Sequence, residues 1–255
     1  MVVKPYYQIT PGLARQIRLV VTDFDGTLTG ADGSLGAGVF EAIRQLEAHG
    51  ITVGLASGRM ISCLDSLAED LSLSGILIAE NGGVVRLKPK GELIELGYSR
   101  RPAIEALEKL KALFPGLIKE REDNQERRVD VVIWPQGVDI ETLKKHLGDT
   151  QLLYSGYMLH LMQKGVSKGR TLLRLLGQLG DGSLCPTEVM VFGDSQTDIS
   201  LFEFFRHSVQ IVNPKLPVEQ RQSLEKVARY TGERPSGDGF VQVVSHLLQA
   251  RCSRE

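Results

Sequence analysis

Cysteine is scarce in this 255-residue sequence, and long apolar runs are missing. The three cysteines, Cys63, Cys185 and Cys252, lie far apart and are odd in number, which argues against a disulfide framework or a zinc site. No stretch of about 18 apolar residues occurs, so the sequence predicts no transmembrane helix. Residues 1–18 also lack the apolar segment of a secretory signal. These absences predict a cytoplasmic protein with reduced thiols.

An excess of charge of one sign is missing as well. The 30 Lys and Arg residues and the 31 Asp and Glu residues leave a formal net charge of −1, so no global field attracts nucleic acid or an anionic membrane. The hydrophobic content of 42% and the charged content of 24% are typical of a globular protein, and the length suits one large or two small domains. We therefore expect neither nucleic acid nor a membrane as a partner, while a monomer and a dimer both stay open.

The most informative feature that is present is a pair of acids directly after an apolar run. Residues 19–22 are apolar or β-branched, and Asp23, Asp25, Gly26 and Thr27 follow. Residues two apart in a strand point to the same side, so the two carboxylates can face one point. Two like charges at that distance are costly unless a cation or a shared proton compensates them. The pattern therefore indicates a functional site at the end of a strand.

Apolar periodicity in the first third of the chain predicts strands that alternate with helices. Residues 51–56 and 76–79 have the pattern of short buried strands, and residues 39–49 and 60–70 have the spacing of helices. This alternation is typical of a parallel sheet with right-handed crossovers. The same rhythm resumes after residue 165, with predicted helices at 168–179, 199–205 and 239–250 and predicted strands at 188–192 and 209–212.

Between these two parts the pattern changes to that of a small antiparallel sheet. Residues 84–87 and 92–96 predict a hairpin, and the order helix, two strands, helix, two strands follows. Five of the six elements have predicted bounds, namely helices at 102–114 and 138–147 and strands at 128–134, 152–154 and 157–162. We therefore predict an α/β fold with a discontinuous parallel-sheet core at residues 1–85 and 165–255, and an inserted α+β (αββαββ) domain at residues 86–164.

Four polar segments each follow a predicted strand of the core. They are residues 23–27, 57–59, 80–83 and 193–198. In open α/β sheets, ligands bind beyond the carboxyl ends of the strands, so we expect these segments to meet at one edge of the sheet. That edge would hold four aspartates and a lysine, namely Asp23, Asp25, Asp194, Asp198 and Lys168.

The residue types at this edge suit a metal ion and a phosphate. Carboxylates without a nearby His or Cys form a hard oxygen site, which favours Mg²⁺ over Zn²⁺. Hydroxyls of Thr27 and Ser57, backbone N–H groups at Gly26 and Gly58 and the charge of Lys168 suit phosphate oxygens. An aspartate can attack phosphorus to form an aspartyl-phosphate, while a second acid protonates the leaving oxygen. The edge therefore has the groups that phosphate-ester hydrolysis requires.

These motifs resemble those of the haloacid dehalogenase superfamily. Residues 23–28 resemble its first motif, Ser57 in residues 56–59 its second, Lys168 in residues 165–169 its third, and residues 193–198 its fourth. The insert resembles the type IIB cap in its short form, as in sucrose-phosphate, mannosyl-phosphoglycerate and archaeal-type phosphoglycolate phosphatases. The resemblance covers about two thirds of the chain and implies a Rossmann-like core, a Cof-type hydrolase activity and the cofactor Mg²⁺.

The resemblance also implies a role for each matched residue. Asp23 is expected to be the nucleophile and a metal ligand, Asp25 the general acid and base and a ligand through its carbonyl, and Asp194 the third ligand. Supporting roles are expected for Ser195 and Asp198. The residues expected to contact the phosphate or the substrate are Thr27, Ser57, Gly58, Arg59, Asn81 and Lys168.

One position of the fourth motif departs from the resemblance, because Thr197 stands where many relatives carry Asn. Its shorter hydroxyl side chain is expected to change a hydrogen bond in the phosphate pocket.

The expected activity is the hydrolysis of a small phosphorylated metabolite of the sugar phosphate, phosphoglycolate or mannosyl-3-phosphoglycerate type. An acid at Asp25 favours phosphoryl over carbon–halogen chemistry. A phosphomutase of the same superfamily and a catalytically silent binding domain stay open as alternatives. The five histidines do not have the spacing of metal ligands, and each is expected either to lie at the surface or to have its hydrogen bonds satisfied. Residues 121–128 are expected to form a solvated loop.

Overall fold

The computed structural model describes residues 3–30, 32–156, 158–178 and 184–253 and contains two β-sheets in these ranges. The strands are, in chain order, β1 (Lys4–Pro5), β2 (Leu19–Thr22), β3 (Thr52–Ala56), β4 (Leu77–Ala79), β5 (Val84–Arg86), β6 (Leu93–Glu95), β7 (Ile118–Glu120), β8 (Val131–Pro135), β9 (Thr150–Tyr154), β10 (Leu159–Gln163), β11 (Val189–Gly193), β12 (His207–Val212) and β13 (Tyr230–Pro235). The helices are, in chain order, α1 (Pro11–Gln16), α2 (Val39–Ala48), α3 (Ile61–Asp70), α4 (Arg101–Leu113), α5 (Ile140–Lys144), α6 (Lys168–Gln178), α7 (Ile199–Phe204), α8 (Val218–Glu225) and α9 (Ser236–Cys252).

The large sheet is formed from both ends of the chain. Its order is β1-β13-β12-β11-β2-β3-β4-β5-β6, and the pairs from β1 to β4 are parallel, while β5 and β6 add an antiparallel edge. Helices cover both faces, since Val20 packs with residues of α2 and α9 whereas Leu19 and Val21 pack with residues of α6 and α7. A strand buried on both faces is continuously apolar, which explains the run that ends at Asp23.

The small sheet lies between β6 and α6 in the chain and has the antiparallel order β7-β8-β10-β9. Helices α4 and α5 cover one face, where Leu159 and Leu161 of β10 pack against them. Alternation along β10 turns His160 and Met162 to the opposite face, and Met162 packs into the core beside the large sheet. The small sheet therefore rests with one face on the large-sheet part of the molecule.

The α/β fold with a central parallel sheet is confirmed, and so is the order α4-β7-β8-α5-β9-β10. Strand β8 begins at Val131 rather than at residue 128, because the backbone N–H groups of Arg128, Val129 and Asp130 donate to Glu80 and not to a neighbouring strand. The periodicity also missed β7, β13 and α8. Residues 157 and 179, which the predicted 157–162 and 168–179 elements include, lie outside the described residues.

Among the residues described, no helix has both the length and the apolar character that a bilayer crossing demands.

Candidate active site

The two aspartates of the first motif lie at the carboxyl end of β2, the middle strand of the large sheet. Asp23 follows directly after the strand and is buried, and its backbone N–H donates to the carbonyl of Phe192 in β11 at 3.0 Å. The sheet ladder therefore sets the position of this carboxylate. Asp25 is partly exposed, and its two oxygens accept hydrogen bonds from Arg59 at 2.7 and 2.8 Å. Both acids are at the sheet edge at which the sequence places them.

Lys168 connects acids that come from opposite ends of the chain. It is the first residue of α6, its side chain is 1% exposed, and its Nζ donates to Asp23 Oδ1 at 2.9 Å, Asp198 Oδ1 at 2.7 Å and Thr197 Oγ1 at 3.1 Å. Burial alone would lower the pKa of this ammonium group, but the charges of Asp198 and Asp23 outweigh burial and raise it. Lys168 therefore stays charged beside Asp23.

Asp194 follows β11 and is buried with neutral partners. Its Oδ1 accepts from Thr27 Oγ1 and its Oδ2 from Asn213 Nδ2, both at 2.6 Å. Burial and the nearby charge of Asp198 raise the pKa of Asp194 to about 7, although the two hydrogen bonds oppose the shift. Gly26 has a φ of 84°, and a Cβ there would lie 2.5 Å from Asp194 Oδ2. Glycine at this turn lets the two segments approach each other.

Asp198 is held by charged and backbone donors instead. Its Oδ1 accepts from Lys168, while its Oδ2 accepts from the backbone N–H groups of Asp194 at 3.1 Å and Ser195 at 3.0 Å. The hydroxyls of Ser195 and Thr197 lie 2.8 Å apart and join this network. Asp198 therefore orients Lys168 and the turn after β11, and the threonine that departs from the family pattern bonds to the same lysine.

Three of these carboxylates form a group that can hold a divalent metal. Oxygen atoms of Asp23, Asp194 and Asp198 lie within 4.8 Å of one another. Burial raises the pKa of Asp23 well above its usual range, Lys168 opposes this, and the charges of the other acids add to it. Lys168 supplies positive charge to Asp23 and Asp198, but the hydrogen-bond donors to Asp194 are neutral, so a cation beside Asp194 would supply the positive charge that this carboxylate lacks. The donor set is all oxygen and suits Mg²⁺.

The loop after β3 and the turn after β4 meet beside these acids. Ser57 is buried, and its Oγ accepts from the backbone N–H of Arg59 at 3.2 Å. Asn81 has a φ of 54°, which asparagine tolerates, and its backbone N–H donates to the Ser57 carbonyl at 3.0 Å. A Cβ added to Gly58 would lie 3.1 Å from Asn81 Nδ2. The predicted residues of these two segments are therefore in contact.

Two predicted substrate residues have protein partners. Thr27 donates its hydroxyl to Asp194, so it positions a carboxylate rather than facing a phosphate. Arg59 binds Asp25 through two N–H groups and stacks over Phe24, with its guanidinium carbon 4.8 Å from the ring centre. Arg59 nevertheless lines the same cavity as Asp25.

A cavity of about 130 Å³ lies between the sheet edge and the insert. Its wall brings together most of the predicted site residues, namely Asp23, Asp25, Ser57, Gly58, Arg59, Asn81, Lys168 and Ser195. An open groove of about 920 Å³ shares Asp25, Arg59 and Ser155 with it. Asp23 and Asp25 therefore face a small, partly open cavity that shares residues with a wider groove.

Sequence reasoning missed the residues that the insert contributes to this cavity. The expectation of a solvated loop at residues 121–128 is wrong at Asn124 and Arg127, which are buried. Asn124 makes two hydrogen bonds with the backbone of Val132, and Arg127 pairs with Asp130. The expectation for the histidines is wrong at His160, which is buried and has an unpartnered ring nitrogen. Its place between two apolar residues of β10 was an available signal, since alternation puts it on the other face.

The fold and the site together define a hydrolase of a known family. The sequence model of the haloacid dehalogenase-like hydrolases matches residues 20–125 and 115–240, and the chain belongs to this family.

One curated relative is the phosphoglycolate phosphatase of Methanoculleus marisnigri, which is 33% identical over 244 residues covering 93% of this chain and 100% of the relative. Phosphoglycolate phosphatases of several other organisms also match over most of their length. With this family and these relatives, the chain is an enzyme of the phosphatase class.

Solved structures share the whole architecture. A protein of Thermoplasma acidophilum superposes with a TM-score of 0.79 at 25% identity, with 91% of this chain and 98% of that chain covered. The sucrose-phosphatase of Synechocystis sp. PCC6803, solved with sucrose and phosphate, superposes with a TM-score of 0.70 at 19% identity, with 91% and 98% covered. At that identity the second likeness concerns the fold alone.

Proposed function

We propose that the protein is a Mg²⁺-dependent phosphomonoester hydrolase that works through an aspartyl-phosphate on Asp23. The observation that carries the proposal is the position of Asp23, buried at the end of β2 with Lys168 Nζ at 2.9 Å and with oxygens of Asp194 and Asp198 within 4.8 Å. Lys168 offsets the repulsion between an anionic nucleophile and an anionic phosphate. When bound, Mg²⁺ would be held by Asp23, Asp194 and the carbonyl of Asp25 and would supply further positive charge to the phosphoryl group.

In this mechanism Asp23 forms a bond to phosphorus while the bond from phosphorus to the leaving oxygen breaks. Asp25 gives the leaving oxygen a proton and later takes one from the water that hydrolyses the aspartyl-phosphate. Both oxygens of Asp25 are held by Arg59 in this structure. We expect Arg59 to shift one N–H group to the substrate phosphate on binding, which exposes an Asp25 oxygen for proton transfer.

We further propose a small phosphorylated acid as the substrate, with 2-phosphoglycolate as the first candidate. Relatives with that activity in their names cover most of this chain. The cavity of about 130 Å³ is also small, since pockets for drug-sized ligands span roughly 300–1,000 Å³. The insert, predicted as residues 86–164, would act as a cap over the core of residues 1–85 and 165–255 and exclude bulk water from the first step.

The test is phosphate release from 2-phosphoglycolate by the Asp23→Asn variant in the presence of Mg²⁺. Because the amide is not a nucleophile, we expect turnover to fall by at least ~10⁴-fold. Asp70→Asn is the matched control, since Asp70 is exposed at the end of α3 and should leave the rate unchanged. Residual activity of Asp23→Asn near that of the unmodified enzyme would exclude this residue as the nucleophile.

A second measurement separates hydrolysis from group transfer within the substrate. Incubation with a hexose 1-phosphate should yield free phosphate if any reaction occurs. An isomerised sugar phosphate as the main product would identify a phosphomutase and contradict the proposal.

A further inference from the structure

A chain of three buried side chains runs through the insert to the cavity. Arg127 Nη1 donates to Asp130 Oδ1 at 2.7 Å, and His160 Nδ1 lies 2.7 Å from Asp130 Oδ2. Arg127 Nη1 also donates to the carbonyl of Gly58 at 3.0 Å, which ties the chain to the loop after β3. These contacts fix the imidazole of His160 with respect to the core.

The other ring nitrogen, His160 Nε2, is buried and has no hydrogen-bond partner among the described residues. The residue is only 1% exposed, and it lines the cavity that also contains Asp23 and Lys168. An unpaired buried polar atom destabilises the folded protein unless a ligand or water satisfies it. A ring in the cavity wall that Asp130 holds at Nδ1, and whose Nε2 is unpaired, is arranged to bind a ligand.

A second residue has the same property independently. Asn81 Nδ2 and Oδ1 are both buried without partners in the described part of the chain, and Asn81 lines the cavity. A Cβ added to Gly58 would lie 2.9 Å from His160 Cε1 and 3.1 Å from Asn81 Nδ2. The two side chains therefore lie side by side against Gly58, the neighbour of Ser57. One residue comes from the core and the other from the insert.

The charged side chains around His160 are paired with one another and leave no excess negative charge that would repel an anionic ligand. Arg121, Asp123 and Arg127 line the same wall, with Arg121 Nε 3.0 Å and Arg127 Nε 3.6 Å from Asp123 Oδ1. Two guanidinium groups thus face the carboxylates of Asp123 and Asp130, so these four side chains balance one another in charge. With Nδ1–H donated to Asp130, an Nε2–H donor requires the imidazolium form of the ring, whose charge a bound carboxylate would balance.

We propose that His160 Nε2, together with Asn81, binds a carboxylate on the part of the substrate that leaves, so that phosphorylated acids are selected over phosphorylated alcohols. This inference rests on the proposed phosphatase function and names the group that the insert recognises. In the bound state, His160 Nε2–H and Asn81 Nδ2 donate to the carboxylate, while Asp23 and Lys168 engage the phosphoryl group at the other end of the cavity. Asp130 acts through His160 and is a positioning residue.

The experiment compares 2-phosphoglycolate with 2-hydroxyethyl phosphate, in which CH₂OH replaces the carboxylate. The unmodified enzyme should prefer phosphoglycolate in kcat/KM. In His160→Gln, KM for phosphoglycolate should rise by about 10- to 100-fold with a smaller change in kcat, and the preference between the two substrates should shrink. Asp130→Asn should shift the preference in the same direction. The control His49→Gln changes an exposed histidine of the core and should leave both substrates unaffected.

The outcomes separate this inference from the proposed function. Equal losses on both substrates in His160→Gln, or an unchanged preference, would overturn carboxylate recognition while the phosphatase proposal stands. An unmodified enzyme that hydrolyses neither ester would overturn the phosphatase proposal itself. If circular dichroism shows that His160→Gln does not fold, inhibition of the unmodified enzyme tests carboxylate recognition instead, with p-nitrophenyl phosphate as the substrate. Inhibition by glycolate well above that by ethylene glycol supports the inference, and equal inhibition overturns it.

Discussion

The carboxylates of the site differ in their partners, and the partners determine what each carboxylate can do. Asp198 is bonded to Lys168 and to backbone N–H groups, so it is suited to hold the lysine in place. Asp25 is bonded to Arg59, from which one hydrogen bond can move to a substrate. Within the described part of the chain, the side-chain hydrogen-bond donors to Asp194 are all neutral. Asp194 is therefore the acid of the site that most needs a cation. Distinct roles thus follow from one residue type.

The state of Asp194 predicts how magnesium binding depends on pH. Burial, followed by the charge of Asp198, raises its pKa to about 7 without metal. A raised carboxyl pKa stabilises the folded protein below the unfolded-state pKa, near 3.8, and this contribution is lost as the pH rises through about 7. Since Mg²⁺ displaces the proton, its affinity should fall about tenfold per pH unit below 7. The increase in Tm on adding Mg²⁺ should therefore be larger at about pH 8 than at about pH 5.

Thermal unfolding with and without Mg²⁺ across this pH range measures the effect. Asp194→Asn should abolish the Mg²⁺-dependent increase at every pH, because it removes a ligand. A Tm increase that is independent of pH in the unmodified protein would contradict the assignment of Asp194 as a buried ligand.

At the scale of elements, one buried carboxylate makes several of the hydrogen bonds between the large-sheet part and the insert. Glu80, in the turn after β4, accepts backbone hydrogen bonds from Arg128 at 3.0 Å, Val129 at 2.7 Å and Asp130 at 3.0 Å. Its φ of 49° lies in the left-handed region, which is uncommon for glutamate. The turn thus places the Glu80 carboxylate beside the backbone N–H groups that precede β8, which donate to this carboxylate and not to a neighbouring strand.

Replacing Glu80 should therefore destabilise the protein more than replacing an exposed glutamate does. Glu80→Ala leaves buried N–H groups unpaired, and we expect the free energy of unfolding to fall by on the order of 3 kcal/mol. Glu203→Ala, at an exposed position of α7, should change it by less than ~0.5 kcal/mol. Urea unfolding of the two variants measures the difference. Equal midpoints would mean that Glu80 is not a structural anchor.

The sequence predicts features that depend on neighbouring residues, and it does not predict those that depend on contacts between distant segments. The run before Asp23 and the acids after it predict the central strand and its functional end, because both signals lie within a few residues. The start of β8 could not be predicted, since the acceptor of its flanking N–H groups is Glu80, about 50 positions earlier in the chain. The role of His160 was hidden for the same reason, because its partner Asp130 and the cavity come from other segments.

At the scale of the whole molecule, the site exists only where the two sheets meet. The core contributes Asp23 and Lys168 to the cavity wall, and the insert contributes Arg127, Met158 and His160. Under the proposals above, the phosphoryl end of the substrate would bind to the core and the leaving group to the insert. Changes in the insert should alter selectivity more than chemistry, since they leave the acids in place.

Substitution of Met158 tests whether the insert determines substrate selectivity. It is buried in the cavity wall, and its Sδ lies 3.5 Å from Arg121 Nη1. Met158→Ala removes most of a side chain that limits the cavity, so kcat/KM for glucose 6-phosphate relative to 2-phosphoglycolate should rise by about tenfold. Leu117→Ala, which shortens an exposed side chain of the insert, should leave the ratio unchanged. If the unmodified enzyme already hydrolysed both esters with equal kcat/KM, cavity size would not select the substrate, and specificity would have to reside in the core.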